Sequence, residues 1–149
     1  GRGCAAGLLN YLKSGYLDAL SDGAVTALVD AAARRTSPLS AVHVHHMGGA
    51  VARVGEDETA YSNRSAEFVF NVVVAATEPA AYEADRVWAR EAAAALAAYG
   101  HGGTYVNFIA EADAGAARDA YGSKYARLAE IKRRYDPANL LRHNQNIAP

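Results

Sequence analysis

At 149 residues, 51% hydrophobic and 21% charged, the chain has the make-up of one globular domain with a real core, or of a piece of something larger. A formal net charge of -1 asks for neither nucleic acid nor a membrane surface. The lone Cys4 excludes an internal disulfide and leaves cytoplasmic and secreted locations equally open.

No apolar run approaches the roughly 20 residues that span a bilayer. The opening "GRGCAAGLL" lacks the charged start, long apolar stretch and cleavage site of a signal peptide. It also lacks an initiator methionine, as expected of a processed or cut chain. Cys4 has no evident activating partner.

Ser21 to Arg35 reads as a helix, capped by Ser21 or Asp22, with Val25, Leu28, Val29 and Ala32 on one face. "TSP" stops it before a β-like run, Leu39 to Met47. Gly48 and Gly49 interrupt that run and Ala50 to Val54 resumes it, as a hairpin or as one strand with a bulge. The strongest strand is "EFVFNVVVAAT", Glu67 to Thr77, closed by Pro79. A long alanine-rich helix follows from Tyr82 to Tyr99, with Val87, Trp88, Glu91, Ala92, Ala95, Leu96 and Tyr99 along one side. Glycines end it, and Thr104 to Ile109 returns as a strand. A last helix spans about Ala116 to Tyr135, striped by Tyr121, Tyr125, Leu128, Ile131 and Tyr135. Asp136 before Pro137 stops it and caps the next turn. The tail is polar, anchored by Leu140, Leu141 and Ile147. The order implies an α+β fold, helices on one face of a mainly antiparallel sheet. Three or four strands make that sheet thin, as if it lacked a partner.

Several stretches invite a chemical reading. His43 and His45 share a strand face and could hold a metal, but no further ligand stands at a matching spacing. We therefore expect a polar strand face and no metal site. "GHGG" has a helix before it and a strand after it, the reverse of a dinucleotide-binding loop, so it reads as a helix stop. "KRRY" suits the negative end of a helix dipole better than a phosphate. Tyr105 and Asn107 stand two apart in the expected strand and so face one side. A phenol can accept a proton and an amide can both donate and accept hydrogen bonds. From spacing alone, an amphipathic strand with a polar face is the favoured account of them. Asn71 interrupts an apolar strand, and if buried its amide needs partners.

Five stretches carry a resemblance: "KSGYLDALSD", "MGGAVARV", "TAYSNRSAEFVFNVVV", "TYVNFI" and "YGSKYARLAEIKRRYDPANLLRHNQNI". In this order the chain resembles the C-terminal part of the berberine bridge enzyme-like, FAD-linked oxidases, and the last stretch is the most specific. The resemblance implies that residues 1–115 belong to a substrate-binding lobe. Residues 116–149 would then return to pack on an FAD-binding lobe absent from this chain. It implies FAD as cofactor, held mainly by that lobe, and a small-molecule donor: an alcohol, a sugar or a secondary metabolite. Tyr105 would face the donor and take its hydroxyl proton, and Asn107 would hydrogen-bond the flavin edge. Cys4 matches no flavin attachment site. Asn71 stands where plant members carry an acid or a glutamine, and an amide can orient a donor but not act as base. Phe108 stands where a histidine or second tyrosine is common. The alanine-rich composition fits a bacterial source. The competing reading is a stand-alone α+β ligand-binding or interaction module without redox activity.

Overall fold

The strand Phe68–Ala76 is buried along its whole length except at Phe68, as a near-continuous Val/Phe/Ala run requires of a central strand. We number it β3. It pairs antiparallel with β1 (Leu9–Leu17) on one side and β2 (Ala41–His46) on the other. The computed structural model describes residues 7–110, 114–143 and 145–149; Cys4 and Asn144 lie outside them. The helices are α1 (Asp22–Ala33), the single turn α2 (Ala50–Arg53), α3 (Pro79–Ala97), α4 (Ala114–Tyr121) and α5 (Tyr125–Tyr135). The α+β layout with an antiparallel sheet is therefore as expected.

Alternation divides the sheet into two faces. Phe70, Val72 and Val74 of β3, with Tyr11 and Leu17 of β1, pack against Ala31 of α1 and Trp88, Ala89, Ala92 and Leu96 of α3. Trp88 Nε1 donates to Ala31 O at 2.7 Å, which satisfies the indole while tying the two helices together. Ser21 caps α1, accepting from Ala24 N at 3.3 Å. The core is closed at one corner by a buried carboxylate. Asp85 of α3, 0% exposed, accepts from Thr36 N and Oγ1, Ser37 N and Ser40 Oγ.

Several local readings are corrected. Leu9–Leu17, left unassigned from the sequence, is an edge strand; Asn10, Lys13, Ser14 and Gly15 dilute its apolar alternation. Ala50–Arg53 is a helical turn rather than a resumed strand, because Gly49, at φ 66, swings the chain out of the sheet. Pro79 does not merely close β3; it occupies the first turn of α3. The buried stripe of α3 runs Asp85, Trp88, Ala89, Ala92, Leu96, whereas Val87 and Glu91 face outward. The last helix is broken into α4 and α5 by a 3₁₀ turn, Gly122–Lys124, where Gly122 takes φ 53.

Thr104–Ile109 is not a strand either. Gly102 and Gly103 take φ +85 and +83 and turn the chain away from the ladder, and Val106–Phe108 forms one 3₁₀ turn. Just before them, Gly100 lies hard against β1. A Cβ there would sit 1.8 Å from the Tyr16 carbonyl oxygen, and backbone cannot step aside as a side-chain tip can. Gly100→Ala is therefore expected to destabilise the protein by about 3 kcal/mol, read as a lowered urea midpoint. An unchanged midpoint would mean that the α3–β1 contact is looser than it stands here.

Candidate functional site

The second face of the sheet carries the candidate residues. Register places Ser14, Asn71 and His43 in one cross-strand row and Tyr16, Val69 and His45 in the next. The stretch 104–108 lies over this face. Ser14 Oγ and Thr104 Oγ1 are 2.7 Å apart and hydrogen-bonded, and Tyr105 N donates to Ser14 Oγ at 3.3 Å. Tyr105 packs against the small cluster of Tyr16, Ala66 and Val69. Its ring meets Phe108 edge-on at 4.9 Å between centroids and Tyr61 edge-on at 5.9 Å. Such T-shaped pairs are the favoured aromatic geometry.

Asn107 Nδ2 donates to the Tyr105 hydroxyl oxygen at 2.9 Å. The two residues are thus brought together, by an amide folding back across a 3₁₀ turn rather than by strand alternation. Grooves of about 390 Å³ and 420 Å³ flank this turn. Ser14, Thr104, Phe108 and Asp119 help to line the first; Asn107, His143 and Gln145 help to line the second.

Asn71 is buried on β3, and no hydrogen bond joins it to Tyr105 among the described residues. Its Oδ1 is enclosed without a partner, as are Gln145 Oε1 and Asn146 Oδ1. Unpaired buried acceptors are costly.

Tyr16 donates its hydroxyl to Tyr61 Oη at 3.4 Å. Burial first, and then that bond to Tyr61, push the Tyr16 phenol far above its ordinary range, so it stays a donor. Burial also raises Tyr61, although Tyr16 and Arg64 pull the other way.

The remaining candidates have ordinary roles. His43 and His45 are exposed, their rings edge-on at 6.2 Å. Among the described residues no three metal-ligating groups converge. His101 of "GHGG" pairs with Asp18 and stacks on Tyr16. Lys132 of "KRRY" is bonded to Asp136 and to Leu141 O. Asp136 accepts from Leu140 N and Leu141 N at 2.8 and 3.0 Å, the turn cap its place before proline implied. No helix of the described residues is long and apolar enough to cross a membrane. Ser14 and Tyr61 are the site residues that sequence reasoning missed. Ser14 and Tyr16 alternate on β1, a signal available only once that segment is read as a strand.

Residues 104–148 match a family model described as "Berberine and berberine like". Over 102 residues the chain is 34% identical to the uncharacterised FAD-linked oxidoreductase YvdP of Bacillus subtilis (strain 168), covering 68% of this chain and 23% of that protein. CrmK, a flavoenzyme involved in shunt product recycling in caerulomycin biosynthesis, is 28% identical at a TM-score of 0.78, covering 97% of this chain and 33% of CrmK. Berberine bridge enzyme from Eschscholzia californica shares the fold at a TM-score of 0.80 and 20% identity, covering 95% of this chain and 33% of that one. The chain therefore spans about a quarter of the curated relative's length and a third of each solved one.

Proposed function

We propose that this chain, a segment of the berberine bridge enzyme-like family, forms the donor-facing wall of an FAD-dependent oxidoreductase whose flavin is held mainly by polypeptide outside it. The observation that carries this reading is the Tyr105–Asn107 pair, joined at 2.9 Å, with Asn107 lining one of the two grooves beside this turn. Tyr105 takes the proton of the donor hydroxyl. Asn107 gives one amide hydrogen to that phenol, which leaves its carbonyl and second hydrogen for the flavin edge. Asn71 lies in the Ser14 row and, as an amide, would orient the donor rather than act as a base. The flavin, when bound, supplies the two-electron acceptor for the hydrogen on the donor carbon. The donor is an alcohol, a sugar or a secondary metabolite.

Residues 116–149 would pack on the FAD-binding lobe. In support, Tyr135, Leu140 and Leu141 are 73%, 77% and 79% exposed; β2 likewise has no strand on its outer edge among the described residues. Apolar groups and unpaired edges of this kind mark surfaces that another element covers.

The test is the full-length protein. It should purify with flavin absorbance, and Asn107→Ala should shift the flavin bands or weaken flavin retention. A colourless full-length protein that ignores added FAD would overturn the reading in favour of a ligand-binding module. A flavin spectrum untouched by Asn107→Ala would remove that contact.

A further inference from the structure

The stretch that carries Tyr105 is not stitched into the sheet: no strand pairs with residues 104–109 among the described residues. Where the Tyr105 hydroxyl points must therefore be set by side-chain contacts. Ser14 supplies them from β1. The loop between α2 and β3 supplies them from the other side, through the edge-on Tyr61 ring. The Arg64 guanidinium lies 5.0 Å over the Tyr61 ring centroid. It is itself held by Val51 O at 3.0 Å and Thr59 Oγ1 at 2.6 Å.

That loop is moored to the turn between α4 and α5. Lys124 Nζ donates to Tyr61 O and to Glu56 Oε1, each at 2.9 Å, and Ser62 Oγ donates to Tyr121 O at 2.9 Å. Glu56 in turn accepts from Asn63 N and Arg64 N, which fixes the left-handed Asn63 at φ 65. Burial raises the Glu56 carboxyl, but Lys124 and those two N–H groups outweigh it and hold the group below the usual carboxylate range. The Lys124 side chain is only 10% exposed. An ammonium so covered, bonded to a backbone carbonyl, does more than a solvated surface pair.

We propose that Lys124 is a positioning residue for Tyr105: it fixes Tyr61, whose ring, together with Phe108 and the Asn107 amide, sets the direction of the Tyr105 hydroxyl. The consequence for turnover rests on Tyr105 being the base; the placement itself does not. A displacement of about 1 Å at a reacting group costs up to about a hundredfold in rate. Lys124→Met is therefore expected to slow donor oxidation about tenfold or more, with the KM for the donor little changed.

The decisive measurement needs no donor. In the full-length protein, 3-fluorotyrosine placed at position 105 alone is followed by fluorine NMR, with circular dichroism confirming that each variant is folded. Lys124→Met and Tyr61→Ala should both move the resonance toward its unfolded position. Lys124→Arg should restore it, and Tyr61→Phe, which keeps the ring, should leave it in place. If Lys124→Met fails to fold, Lys124→Gln, whose side chain is too short to reach Tyr61 O and Glu56 together, takes its place with the same expected shift. A resonance unmoved in either Lys124→Met or Tyr61→Ala overturns the proposal, as does failure of Lys124→Arg to restore it. The signal reports placement rather than turnover. An active Tyr105→Phe enzyme would therefore sink the base role and leave the mooring standing.

Discussion

In the full-length protein, Tyr105→Phe is expected to lower the rate of donor-dependent flavin reduction by about a hundredfold to ten-thousandfold, the usual worth of a positioned general base. The oxidised flavin spectrum should stay as it is. The substitution deletes one oxygen and keeps the ring, so the edge-on contacts with Phe108 and Tyr61 survive. Asn107 loses an acceptor, but it is exposed and water replaces the phenol there at little cost to folding. Stopped-flow mixing with an alcohol donor under anaerobic conditions separates this chemical step from reoxidation by the acceptor. A rate within about twofold of wild type, where general-base loss predicts at least about a hundredfold, would mean that another group takes the proton.

The pairing of Tyr105 with Asn107 was legible in the sequence for a reason that does not hold. Strand alternation puts residues two apart on one face, yet the segment is a 3₁₀ turn. The side chains meet because an amide two positions on reaches back to the phenol. The quoted motif survived a wrong secondary structure because family likeness follows residues, not ladders. β3 was legible from composition and α1 from its cap, both local signals, although the periodicity of α1 pointed to the wrong face: Val25 and Val29 are exposed and Ala24 and Ala31 are buried. β1 was not legible, since an edge strand with one polar face offers weak alternation. The Lys124–Tyr61 mooring and the Asp85 cluster were beyond reach for a different reason. Their partners stand 63 and 45–49 positions apart, and no pattern within a single segment announces a contact made only by folding.

The Asp85 cluster should be the fold's most sensitive polar site. Its two oxygens take four donors: Thr36 N at 2.8 Å and Thr36 Oγ1 at 2.7 Å on one, Ser37 N at 3.1 Å and Ser40 Oγ at 2.5 Å on the other. Ser37 and Ser40 pass the connection on to β3, since Ser37 Oγ donates to Ala75 O and Ser40 Oγ accepts from Ala75 N. Asn at this position must aim an NH₂ at one of the two donor pairs, which strands a buried backbone N–H whichever way the amide is turned. Asp85→Asn should therefore cost about 3 kcal/mol, given that bonds to an ionised group are the strong ones.

The deficit should also depend on pH. Burial raises the Asp85 carboxyl, but Ser40, Thr36 and Ser37 outweigh it and hold the group below the ordinary aspartate value of 3.8. A depressed group contributes its full stabilisation above that ordinary value and loses it as pH falls toward the folded one. Urea midpoints of wild type and Asp85→Asn should thus lie far apart at about pH 7 and draw closer as pH falls below 3.8. A gap that stays constant across that range would show that packing, not the ionised carboxylate, holds the 36–40 connection against β3.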